Sequence, residues 1–323
     1  TTPGEGQIRA LFTGAGNPVL STPNGRHLDE ALGQLEFMVS LDPYLNETTR
    51  HADIILPPTS PLEHDHYDLA FHVNALRNTA RFNEPVFDKR EDSLHDWEIL
   101  AELGNRVGIL LGLEPQPLTP PDRIIEMGLQ AGPYRDRPIT LETLKANPSG
   151  IDLGPLQPQL PGRLRTKEQI IRCDTPEPLA DLARLREEFS QPHHGLLKLI
   201  GRRHVRSNNS WMHNYHRLVK GRERCTLLMH PSDMKRRDIG NGSRVTVSSR
   251  TGAVQLAVEA SEDIMPGVVS LPHGYGHSRP GIRMSVAREH AGVSCNDITD
   301  ERALDALSGN AALNGVLVSV VPS

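Results

Sequence analysis

The stretch Ile8-Arg9-Ala10-Leu11-Phe12-Thr13 and the pentapeptide after it, Gly14-Ala15-Gly16-Asn17-Pro18, set the reading of the first third of the chain. The first six residues read as a strand, and the glycines with Pro18 end it in a tight loop. A helix is predicted over His27 to Leu35, a second strand over Phe37 to Leu41, and a third over Asp53 to Leu56, stopped by Pro57-Pro58. Strands that alternate with helices through short links imply a parallel sheet with crossover helices. Ligands of such sheets sit beyond the carboxyl ends of the strands, where Gly14–Pro18 and Asp42–Thr48 both fall.

Further along, a long amphipathic helix is predicted from Ser93 to about Leu111, closed by Gly112. Residues 113–192 are rich in Pro and Gly and read as a connector with a few helices, one over Pro178 to Phe189. From Leu196 the texture changes to short β segments: Leu196 to Ile200, Thr226 to His230, Ser243 to Ser249, Ala253 to Glu259, Gly267 to Leu271 and Val316 to Val321. Pro231 to Asp238 reads as a short helix, and Arg250-Thr251-Gly252 as a hairpin turn. Many short strands with few helices indicate a small barrel or sandwich. The chain thus divides into 1–112, 113–192 and 193–323.

The 323 residues carry a net charge of −5, so no global basic field invites nucleic acid. No apolar run approaches the roughly 20 residues that span a bilayer, and there is no secretory signal. Cys173, Cys225 and Cys295 lie far apart and fit neither a disulfide framework nor a zinc or iron–sulfur spacing. Three isolated thiols favour a reducing, cytoplasmic setting. Aromatic residues make up only 4%, so the core rests on Leu, Ile, Val and Ala.

One segment stands out chemically. Gly201 to Asn214 holds three arginines, two histidines, three asparagines, two serines and one of the two tryptophans. Such a density of planar donors suits a ligand with phosphates at one point and a heteroaromatic ring at another; the bland reading is a solvated loop. Gly14–Pro18 offers backbone N–H groups to a phosphate, but it lacks both the dinucleotide fingerprint and the Walker A pattern, and a plain turn remains open. Asp42 stands where an acid commonly receives ribose hydroxyls or a purine edge, or else caps the turn before Pro43.

Pro272-His273-Gly274-Tyr275-Gly276-His277 reads as a loop lying against a flat ligand, or as a glycine-rich barrel corner; its glycines argue against a two-histidine metal site. Glu63-His64-Asp65-His66 finds no further ligand at fitting spacing and reads as a turn. No Gly-x-Ser-x-Gly elbow supports a serine hydrolase, and Lys235-Arg236-Arg237 is ordinary helix-face charge.

Taken together, Ala10 to Pro18, Asp42 with Glu47-Thr48, Ala52-Asp53-Ile54-Ile55-Leu56-Pro57 and Glu63 resemble the molybdopterin oxidoreductase family of dimethyl sulfoxide reductase, formate dehydrogenase and nitrate reductase. The second half is similar to that family's dinucleotide-binding domain at Met229-His230-Pro231, Ile239-Gly240 with Gly242, Val245 to Gly252, Pro266 to Val269, and Asn296 ahead of Ile298-Thr299. Residues 113–192 contribute little. The resemblance implies an α/β Rossmann-like parallel-sheet domain followed by a mainly β double-psi β-barrel. It also implies bis(molybdopterin guanine dinucleotide) carrying Mo or W, used for two-electron redox or oxygen-atom transfer.

By matched position, Gly14, Asn17, Asp42 and Thr48 would touch a guanosine diphosphate arm. Arg202, His204, Arg206, Ser207, Asn208, Asn209, Ser210 and Trp211, with His273, Gly274 and Asn296, would line the pterin and phosphate side. Nothing matches the family's iron–sulfur cysteines or metal-ligating residue. The chain is therefore expected to be the C-terminal part of a longer enzyme whose N-terminal region holds a 4Fe-4S cluster. Its partners would be that region, a small-molecule substrate and an electron-transfer subunit. Two alternatives are a non-catalytic module without molybdenum and an NAD-binding dehydrogenase, the latter opposed by the missing fingerprint.

Overall fold

The computed structural model describes residues 1–323 apart from Pro133, Pro138, Pro192 and the side chain of Val73. The expected end of the connector at Pro192 therefore lies outside the described residues. The chain separates into two compact units, one of residues 1–55 with 174–323 and one of residues 56–173. These boundaries fall elsewhere than the cuts at 112 and 192 drawn from the sequence, because the sheet strands keep company with the barrel rather than with the long helix.

The first unit opens with β1 (Ala10–Gly14), α1 (Pro18–Ser21), α2 (Gly25–Leu32), β2 (Phe37–Leu41) and β3 (Ile54–Ile55). The strands are parallel in the order β1-β2-β3. Pro18 starts α1 at a position where its missing N–H costs nothing. Asn24 caps α2, its side chain accepting from the His27 N–H at 3.3 Å. Val19, Leu32 and Met38 form the small core behind the sheet.

The second unit contains two antiparallel pairs, β4 (His66–Tyr67) with β6 (Phe82–Asn83) and β5 (Arg77–Ala80) with β7 (Ile151–Pro155). Its helices are α3 (Asp96–Leu110), α4 (Pro121–Ala131) and α5 (Leu141–Lys145), and its core is Ala80, Phe82, Leu144 and Leu153. None of these four short strands was anticipated, because β4 and β6 are two residues each, β5 is a polar run and β7 carries Gly154-Pro155, which reads as a turn. In this unit Glu63 accepts the Ser60 N–H at 2.7 Å and His64 Nε2 lies 2.6 Å from the Thr59 hydroxyl, so both serve a turn.

The first unit resumes with α6 (Pro176–Ser190) and a closed six-stranded barrel. Around it run β8 (Leu197–Arg202), α7 (His216–Val219), β9 (Leu227–Met229), α8 (Pro231–Arg236), β10 (Arg244–Ser248), β11 (Ala253–Ala260), β12 (Val268–Pro272), α9 (Ser285–Glu289) and β13 (Val316–Pro322). β8 with β12 and β9 with β11 are parallel; the other four pairings are antiparallel, including the β10–β11 hairpin. Strict alternation along β11 turns Val254, Leu256 and Val258 inward to meet Leu199, Leu227, Val245 and Val269. The donor-rich stretch was read as loop from Gly201; its first two residues, Gly201 and Arg202, in fact close β8. Among the described residues, no helix is long and apolar enough to cross a membrane.

Candidate functional site

Three loops of the first unit meet. Residues 14–17 leave β1, residues 203–214 leave β8, and residues 273–277 leave β12. Gly274 fixes the junction of the two barrel loops. It has φ +92°, and a Cβ there would stand 1.9 Å from the Asn209 carbonyl oxygen, so only glycine lets the two backbones touch. Asn208 and Asn209 both hold left-handed φ values, 39° and 60°, which asparagine tolerates better than other side chains. Arg203 donates to Asn209 Oδ1 at 2.7 Å and steadies the bend.

Asn17 ties this bend to the sheet. Its side-chain amide donates to Glu47 Oε2 at 2.7 Å and reaches Ser210 Oγ at 3.5 Å, while its Oδ1 accepts from the Thr48 hydroxyl at 2.8 Å. Thr48 Oγ1 in turn accepts the Val19 N–H at 3.1 Å. Asp42 is buried at the end of β2 and accepts from the Tyr44 N–H and the Asn46 amide. Burial raises its pKa, and those two bonds only partly oppose the shift.

A file of buried groups continues from Asn17. Glu47 Oε1 lies 3.0 Å from His277 Nδ1, and His277 Nε2 lies 2.8 Å from His213 Nδ1. Burial pushes the Glu47 carboxyl up, but the bond and charge of His277 and the Asn17 bond outweigh it and hold its pKa down. Burial, reinforced by His277, depresses His213 to about 4. Its Nε2 is buried without a hydrogen-bond partner, and its ring lies 4.4 Å from that of Tyr275.

The residues expected to bind a ligand therefore divide. Arg202 turns inward and donates to the carbonyls of Ser270, Arg224 and Thr226, a use that holds strands together. Asn296 donates to the Leu20 carbonyl and accepts from the Thr299 hydroxyl. Asn17 and Thr48 stitch loops, as described. Ser207 and Ser210 are buried under the bend. By contrast, Arg206 and Trp211 are exposed, and their side chains have no hydrogen-bond partner among the described residues. Gly14 has open space over its Cα. Asn208 is exposed, and His204 is exposed with Nδ1 accepting the Arg206 N–H. His273 is half-buried, and burial together with Arg203 lowers its pKa. The file of Glu47, His277 and His213 was absent from the expected set. Its signals were the Glu47-Thr48 pair and two histidines inside the donor-rich loops.

Comparison with known proteins agrees with this architecture. Residues 1–106 match the family model described as Molybdopterin oxidoreductase, and residues 197–317 match that of the Molydopterin dinucleotide binding domain. The chain belongs to the molybdopterin oxidoreductase family. It is 26% identical over 283 residues to the F420-dependent formate dehydrogenase subunit alpha of Methanocaldococcus jannaschii, covering 87% of this chain and 40% of that one. Over 104 residues it is 33% identical to the assimilatory nitrate reductase catalytic subunit of Bacillus subtilis, covering 32% of this chain and 14% of that one. The solved structure of acetylene hydratase from Pelobacter acetylenicus shares the fold, with a TM-score of 0.67 at 17% identity over 98% of this chain and 44% of that one. The chain thus spans about two fifths of the formate dehydrogenase subunit it matches.

Proposed function

We propose that this chain holds bis(molybdopterin guanine dinucleotide) carrying Mo or W, within an enzyme of formate dehydrogenase or nitrate reductase type. The carrying observation is the rim itself: three loops locked together by Asn17 and Gly274, with Arg206, Trp211 and His273 side chains left free and open space over the Gly14 Cα. That donor set fits a ligand with phosphates and a heteroaromatic ring. Gly14 and Asp42 would receive a guanosine diphosphate arm, with Asn17 and Thr48 shaping that end. Arg206, Trp211, Asn208, His204 and His273 would meet the pterin and phosphate side, over a bend shaped by Asn209, Ser210, Ser207 and Gly274. When bound, the cofactor supplies two-electron redox or oxygen-atom transfer; the chain's own residues bind it, orient it and exclude water.

On this reading the sheet is Rossmann-like and the barrel double-psi, and 1–112 and 193–323 are the working domains joined by 113–192. A 4Fe-4S cluster would be supplied outside these residues. An electron-transfer partner is supported by the relatives' designation as alpha subunits. Three free thiols support a reducing compartment such as the cytoplasm. The protein, purified from a host that makes the cofactor, is expected to carry molybdenum or tungsten and to release guanine nucleotide in acid. Finding neither would support a cofactor-free module in an electron-transfer complex instead.

A further inference from the structure

Holding a cofactor does not require a file of titratable groups, yet Glu47, His277 and His213 form one. Glu47 and His277 are fully buried, His213 is 3% exposed, and the file stops at the unpartnered His213 Nε2. Each short contact needs one hydrogen between its two atoms. With Glu47 ionised, His277 Nδ1 carries a hydrogen and donates to it. Only one hydrogen fits in the 2.8 Å between His277 Nε2 and His213 Nδ1. When it belongs to His213, both rings are neutral and His213 Nε2 is a bare lone pair. When it belongs to His277, that ring is an imidazolium against the Glu47 carboxylate, and neutral His213 carries its other hydrogen on Nε2. The two states differ by one proton.

We propose that Glu47, His277 and His213 form a one-proton relay that takes a proton from an N–H or O–H acid in the cofactor cleft and stores it between His277 and Glu47. The acid's X–H bond breaks as His213 Nε2–H forms. His213 Nδ1–H then breaks as His277 Nε2–H forms, and no electrons leave the rings. The other titratable or charged groups near His213 are Tyr275, whose ring flanks it, and Arg224. Arg224 repels a cation on His213, whereas Glu47 attracts one on His277, so the charge comes to rest at the inner ring. The depressed pKa of His213 agrees with a ring that passes the proton on rather than keeping it. The location of the acid rests on the cofactor reading above; the relay itself does not.

The relay is tested on the holo protein labelled with 15N-histidine, following the ring nitrogens from about pH 4 to about pH 9, the range histidines span. At the basic end His213 is expected to carry its hydrogen on Nδ1 alone. On acidification His213 is expected to lose its Nδ1 hydrogen and gain one on Nε2 at a single shared midpoint. Separate midpoints, or a hydrogen already on His213 Nε2 at the basic end, overturn the relay. Glu47→Gln keeps the volume but removes the charge, so the shared midpoint should fall by about one pH unit or more. The acidic limb of the kcat/KM profile should fall with it. An unmoved midpoint overturns the relay as well. The wild-type titration needs neither variant folding nor turnover, so its failure is distinct from an absence of metal and nucleotide.

Discussion

On the sheet side of the rim, Asn17, Asp42, Glu47 and Thr48 are buried and hydrogen-bonded, whereas on the barrel side Arg206 and Trp211 stand exposed with free side chains. Both sides carry polar residues of ligand-binding type, and their chemistry is similar on paper. Burial separates them: a buried polar group must be satisfied from within the protein, so its bonds are spent on shape. An exposed planar donor has no such obligation and remains available to a ligand. On the proposed reading the sheet side mainly shapes the site, with Gly14 and Asp42 as its ligand contacts, and the barrel side presents exposed donors to the ligand. Gly274 and Asn17 are where the two meet.

The sharpest way to break this division is at the meeting point. Gly274→Ala forces a methyl group onto the Asn209 carbonyl at a positive φ. It is expected to cost about 4 kcal/mol, combining backbone strain with overpacking, read as a large fall in Tm. Near-wild-type stability would show that the two loops are not locked. Next, Glu47→Ala strips the partners from the Asn17 amide and from His277 Nδ1. About 3 kcal/mol should be lost, since buried donors are left unmet; a loss below about 1 kcal/mol would remove Glu47 from the scaffold.

Acid should act on the same buried file. His213 is depressed to about 4, while an unfolded histidine titrates near 6.5. Between those values the unfolded chain binds the extra proton, so stability rises with pH and is lost as pH falls from about 6.5 toward about 4. The slope is about 1.4 kcal/mol per pH unit for one full proton. Glu47 adds the carboxylate pattern: its pKa is held down, so its contribution is present above about pH 4.3 and is lost as pH falls further. Denaturant melts of wild type and His213→Gln across this range check the first effect, and an unchanged slope in the variant would assign it elsewhere.

Much of this was legible in the sequence. Ile8 to Thr13 and Phe37 to Leu41 announced the parallel strands, although β1 itself runs Ala10–Gly14, and the run of short strands from Leu196 announced a small barrel or sandwich. The loops at 203–214 and 273–277 were paired by the family resemblance; that they touch at Gly274 and Asn209 is set by the tertiary structure. Residue type alone could not say which polar groups face inward. Arg202 reads like Arg206, yet its guanidinium is consumed by three backbone carbonyls contributed by residues 22 to 68 positions away. The joining of Glu47 to His277 across 230 residues is likewise set by tertiary structure. The pairs β4–β6 and β5–β7 were invisible because β4 and β6 have only two residues each, β5 is the polar run Arg77-Asn78-Thr79-Ala80, and β7 carries Gly154-Pro155.

The smallest expected effect on stability bears most directly on the central claim. Arg206→Ala and Trp211→Ala remove exposed side chains with no partner among the described residues, so each should change unfolding free energy by under about 0.5 kcal/mol. Measuring guanine nucleotide and metal per protein molecule in these variants alongside Tm decides the matter. Occupancy lowered several-fold at unchanged Tm is the result this division of labour requires. Full occupancy in both variants, or a loss that follows Tm, would contradict it.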